Sequence, residues 1–133
     1  MSIIENIKTR GKDISVLEGM DRLQYLVDIA KEVKPLADKH KTDKNKIRGC
    51  ASNLWVIGNK NIHNKMYYDY EAESYITKGY VKLVIDLVDQ QPANEIAKLT
   101  PKDFNALGVK ELLTPQRQNG LGSLIARLVG LAQ

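Results

Sequence analysis

A sulfur nucleophile is the sharpest chemical possibility in this sequence, and it has one address: Cys50, the only cysteine among 133 residues. It lies in the stretch Arg48-Gly49-Cys50-Ala51-Ser52-Asn53-Leu54-Trp55-Val56. Just upstream, Lys39, Lys41, Lys44, Lys46 and Arg48 set five positive charges against Asp43. That excess of four equals the net charge of +4 for the whole chain, so the positive bias is local. The thiolate is the reactive form of cysteine, and nearby Lys or Arg lowers a thiol's pKa. Gly49 permits backbone angles closed to other residues, so the chain can turn sharply before Cys50. The pattern predicts a thiol displayed on a turn in a positive field. The same residues also fit a plainer account: a small, inert core cysteine following a solvated basic loop.

Other chemistries are poorly supplied. A zinc site needs several Cys or His ligands, and the inventory is Cys50, His40 and His63. The same shortage argues against a cluster scaffold. A thiol hydrolase would need His40 or His63 beside Cys50 with an orienting acid, and His63 falls in a polar turn. Gly120-Leu121-Gly122 lies inside a helical pattern and is a weak phosphate signal. No metal and no cofactor of the chain's own is expected. Hydrophobic content of 43% and charged content of 27% are ordinary for a globular protein, and the length suits one domain over 1–133. No apolar run approaches the roughly 20 residues of a membrane span. The N-terminal stretch lacks a secretory core, and a lone cysteine suits a reducing compartment. A cytoplasmic protein with no membrane partner is expected. The small, local positive excess and few aromatics argue against a nucleic-acid partner.

The elements that must position Cys50 can be read from periodicity. Ile3, Ile4 and Ile7 suggest a short helix over 2–9, with a break at 12–15 after Gly11. Leu23, Leu26, Val27 and Ala30 form an i, i+3, i+4, i+7 stripe that predicts a helix over about 16–33, stopped by Pro35. A charged loop over 38–46 and a short strand at 45–49 follow. Strands are expected at 53–59 and 65–71, the second with Met66, Tyr68 and Tyr70 on one face. Ile76, Tyr80, Leu83, Val84 and Leu87, widened by Val81, Ile85 and Val88, predict a largely buried helix over 73–90. Gly79 within it would let another backbone approach. Thr100-Pro101 and Thr114-Pro115 read as capped helix starts, Asp103 completes the first cap, and Gly108 is a stop. Leu121, Leu124, Ile125 and Leu128 make the core face of the last helix. The fold class is α+β: a small three-stranded antiparallel sheet packed against a layer of helices. Cys50 falls between the first two strands.

The string from Ile47 to Val56 resembles the cysteine motif of the SufE family, sulfur acceptors that work with cysteine desulfurases in iron–sulfur cluster assembly. Gly49, Cys50, Ser52 and Trp55 match, Asn53 is a close substitute, and Ala51 stands where the family usually has Gln. Leu113-Thr114-Pro115-Gln116-Arg117-Gln118-Asn119-Gly120-Leu121 closely resembles the second family signature. Arg22 to Val27, Lys34-Pro35-Leu36 and the acidic junction Glu71-Ala72-Glu73 are similar to family strings between and before them, with Ala72 replacing the usual serine. The likeness covers roughly Leu17 to the C-terminus and implies a SufE/IscU-like fold.

The resemblance implies a protein that is not itself an enzyme. It would take persulfide sulfur from a desulfurase of the SufS or CsdA type onto Cys50, stimulate that desulfurase, and pass sulfur to a cluster scaffold or other acceptor. The pyridoxal phosphate (PLP) belongs to the partner. Cys50 is then the nucleophile, and Arg48, Gly49, Ser52, Glu73 and Arg117 are the expected loop and partner contacts. Trp55 is expected in the core. Because a displayed persulfide is hazardous, Cys50 is expected to rest partly sheltered against the strands, on a loop that moves when the desulfurase binds. The rival is a non-catalytic interaction module or allosteric activator with an inert cysteine.

Overall fold

The computed structural model describes residues 2–50 and 52–133; the Ala51 departure therefore lies outside the described residues. The chain runs α1 (Ile3–Ser15), α2 (Met20–Ala30), β1 (Leu54–Lys60), β2 (Met66–Ala72), α3 (Tyr75–Val88), a short α4 (Ala93–Ile96), a 3-10 helix (Pro101–Leu107) and α5 (Pro115–Ala132). None of the helices described is long and apolar enough to cross a membrane.

The sheet is the antiparallel pair β1–β2, registered from Leu54 opposite Ala72 to Lys60 opposite Met66. The third strand expected at 45–49 is reduced to one bridge, Lys46 opposite Trp55. Ile47 N–H donates to the Leu54 carbonyl (2.8 Å) and Val56 N–H to that of Asn45 (2.9 Å). Pairing stops there because turns at 43–45 and 48–49 close in on both sides. The strand alternation holds: Leu54, Val56, Met66 and Tyr68 are buried, while Tyr67 and Asp69 face out.

The helix α3 is the centre of the molecule. Ser74 caps it, accepting from the Thr77 N–H, and nine of its residues from Thr77 to Val88 are buried. It crosses α2 at Gly79, where a Cβ would overlap the Leu26 carbonyl. On the other side, Leu121, Leu124, Ile125 and Leu128 of α5 enter the same core. The Tyr68 hydroxyl donates to the Leu128 carbonyl at 2.9 Å, joining sheet to helix.

The boundaries of the first two helices differ most from expectation. Gly11 does not break α1: it lies inside the helix, where a Cβ would strike the Ala106 carbonyl, so it marks a close approach. The start of α2 is delayed to Met20 by Gly19, whose φ is +51°. Arg22 fastens the intervening turn by donating to the carbonyls of Leu17 (2.5 Å) and Ser15 (3.3 Å). The Thr100–Asp103 capping box and left-handed Gly108 occur as read, although they bound a 3-10 helix. Thr114 caps α5 by accepting from the Arg117 N–H (3.3 Å).

Gly79→Ala is expected to cost about 3 kcal/mol, the upper part of the usual overpacking range, because the obstructing atom is backbone. Gly122→Ala, where a Cβ meets nothing within 4 Å, should instead gain up to about 1 kcal/mol from helix propensity. Urea unfolding midpoints moving in opposite directions would check both.

Candidate functional site

Cys50 sits at the tip of a short loop fixed at both ends. The Ile47–Leu54 hydrogen bond closes its base, and the Glu73 N–H donates to the Asn53 carbonyl on the outgoing side (3.1 Å). On the incoming side, the Arg127 guanidinium of α5 donates to the carbonyls of Lys44 (3.3 Å) and Lys46 (3.2 Å). Asn45 braces the preceding turn through the His40 carbonyl (2.9 Å). Farther back, Lys41 bonds Glu71 at 2.8 Å and lies 5.9 Å from the Trp55 ring centre. Glu71 also accepts from the Leu36 N–H at 2.8 Å.

Gly49 makes the turn into the site with φ +86°, a conformation side chains rarely adopt. Beyond it the Cys50 side chain folds inward and is partly buried against the core. Its shelter is formed by helices α3 and α5 rather than by the strands. A Cβ placed on Gly120 of α5 would lie 2.7 Å from the sulfur and 3.0 Å from the Tyr80 hydroxyl of α3. The sulfur therefore fills the space left by a missing side chain, with a phenol beside it.

Burial pushes the Cys50 thiol above its ordinary pKa, and the Tyr80 hydroxyl, in hydrogen-bonding reach, opposes that rise. This corrects the expectation of a thiol acidified by the basic run. Arg48 is exposed and lines a shallow groove with Ser123 and Arg127. Lys41 is engaged by Glu71 and Asp38. The charge of the basic run surrounds the loop without offsetting the burial of the thiol.

The residues singled out from sequence separate into two groups. Arg117 comes to the site, its Nη2 3.5 Å from the Ser74 hydroxyl and its charge felt by Tyr80. Trp55 is half-buried. The Glu73 side chain is exposed, and it is the main-chain N–H of that residue that holds the loop. Ser52 is partly buried in the loop. Tyr80, Gly120 and Thr77 were missed as site residues. Tyr80 read as one more core position, and Gly120 carried a signal only as part of the second signature.

Among the described residues, no group of three or more His, Cys, Asp or Glu side chains is placed to hold a metal ion. Fold and site together are those of an α+β protein with one partly shielded thiol. Residues 10–132 match the family model for SufE, the Fe-S metabolism associated domain. The chain belongs to the SufE family, and its role lies in Fe–S metabolism. It is 32% identical to an uncharacterized SufE-like protein of Rhizobium etli over 81% of this chain and 76% of the relative. A SufE-like protein 1 of Arabidopsis thaliana, described as chloroplastic/mitochondrial, is 32% identical over 84% of this chain, which spans 30% of that relative. The fold is shared with the solution structure of a hypothetical protein from Thermus thermophilus (TM-score 0.77, 18% identity, 95% of this chain and 92% of the other).

Native Cys50 should alkylate more slowly than free cysteine, with a pH midpoint above the ordinary value of about 8.5, and should speed up in urea. Iodoacetamide rates against pH measure this. Glu71 is held below the ordinary carboxylate range, chiefly by its bond to Lys41. A lowered native pKa contributes stability above the unfolded value, about 4.3, and that stability is lost as pH falls through the native value. Glu71→Gln should therefore cost about 1 kcal/mol at neutral pH, with the difference from the parent vanishing in acid denaturation series.

Proposed function

We propose that Cys50 accepts sulfur from the persulfide of a cysteine desulfurase, stimulates that enzyme by unloading it, and hands the sulfur on for iron–sulfur cluster assembly. The observation that carries the reading is the seating of the thiol: held over Gly120 at the tip of a doubly anchored loop, it is sheltered but not embedded. In the transfer, Cys50 gives up its proton and its thiolate attacks the outer sulfur of the donor persulfide. The sulfur–sulfur bond of the donor breaks, a new one forms to Cys50, and the donor cysteine departs as a thiolate. One disulfide-type bond replaces another, so no external oxidant or reductant is required.

The raised pKa of the seated thiol makes it a poor nucleophile at rest. Release of the loop on partner binding gives the sulfur access and ordinary acidity together, with Gly49 as the flexible point. Arg117 and the exposed Glu73 and Arg48 side chains are the partner contacts around the opening. PLP chemistry stays with the desulfurase, and the protein acts as carrier and activator. A cytoplasmic setting is part of this reading, as is a single domain over 1–133.

A second reading draws on the same half-buried, weakly acidic thiol: an inert cysteine in an interaction module. Incubation with a cysteine desulfurase and free cysteine separates the two. The carrier gains the mass of one sulfur atom at Cys50, and Cys50→Ser abolishes the gain while preserving fold and partner binding. No gain, with binding intact, would establish the module instead. Arg117→Ala should slow sulfur acceptance about tenfold, equivalent to about 1.4 kcal/mol of transition-state stabilisation.

A further inference from the structure

Two hydroxyls inside α3 have no part in the sulfur-acceptor reading. Thr77, 2% exposed, is the one buried serine, threonine, amide or charged residue among the described residues. Tyr80 is 1% exposed and lies three residues on, so both occupy one face of the helix. The Tyr80 hydroxyl sits beside the Cys50 sulfur at Gly120, and Thr77 and Cys50 both act on its titration. A purely packing role at position 80 would be served by phenylalanine or leucine; a buried phenol needs a polar partner. Its hydroxyl and the sulfur converge on the same gap, at 3.0 and 2.7 Å from the absent Cβ of Gly120.

We propose that Tyr80 is a positioning residue for sulfur acceptance: its hydroxyl, oriented by Thr77, donates a hydrogen bond to the sulfur of Cys50 and holds the resting group over Gly120 until the loop is released. The assignment of sulfur acceptance rests on the proposed function above; the hydrogen bond does not. A donor to the charged form favours that form, so the phenol offsets part of the penalty of burying the thiolate. Burial keeps Tyr80 itself protonated well above its ordinary range, so it remains a donor at every pH at which Cys50 titrates. The titratable and charged groups around the sulfur are Tyr80 from α3, Arg117 from the first turn of α5, which acts on Tyr80, and exposed Arg48 in the loop itself.

The test is the pH profile of Cys50 alkylation in the full chain, with melting temperature as a fold control. Tyr80→Phe removes the donor and keeps the ring, and should raise the midpoint by about one unit, a tenfold loss of thiolate at fixed pH. Thr77→Val should move it the same way by less. Gly120→Ala should move it down, towards free cysteine, because a Cβ there pushes the sulfur into solvent. An unchanged or lowered midpoint in Tyr80→Phe overturns the proposal. If that variant does not fold, an unchanged midpoint in Thr77→Val does so instead. Sulfur loading by desulfurase is measured in parallel. A shifted midpoint with no loading of the parent protein supports the hydrogen bond and sinks the acceptor reading, whereas normal loading with an unmoved midpoint sinks only the role of Tyr80.

Discussion

The place of the sulfur depends on an atom that is not there. Gly120 lies inside α5, at a position where almost any other residue would satisfy the helix better, and its bare Cα opens the gap that Cys50 fills. The gap exists because α3 and α5 are held at a fixed separation. The buried face of α3, its close crossing with α2 at Gly79, and the Tyr68–Leu128 hydrogen bond set that separation. The loop is thus docked onto the core by the Cys50 side chain itself.

Burial and charge compete at such a site, and burial prevails. A row of lysines and arginines before a cysteine suggests an acidified thiol. In the folded protein that charge is directed elsewhere. Lys41 is turned back to Glu71, and Lys39, Lys44 and Arg48 are in solvent. The sulfur faces apolar atoms and one phenol, and a neutral thiol is the form that environment favours. The basic segment shapes and anchors the loop more than it tunes the sulfur.

The helices and strands were legible where periodicity was strong. The stripes on α3 and α5, the β1–β2 alternation and the capped starts at Thr100 and Thr114 lie where they were read. Glycines were harder, because the same residue serves as a break, a close contact or a left-handed turn. Gly11 proved a contact and Gly108 a stop, and only the packing partner or the backbone angle tells them apart. The thiol itself was legible as a unique residue in a known pattern. Its seat was not, because Tyr80 and Gly120 reach it from helices remote in sequence, and a phenol in an apolar stripe looks like any other core residue.

The hydrogen bond between Ile47 and Leu54 sets a radius. Three residues of chain lead from Ile47 to Cys50, and an extended chain advances about 3.5 Å per residue, so while that bond holds the Cα of Cys50 stays within about 10 Å of that of Ile47. The tether is short. A reactive group recessed more deeply than that within another molecule lies out of range of this thiol, and the depth of a cleft becomes a filter as selective as its charge.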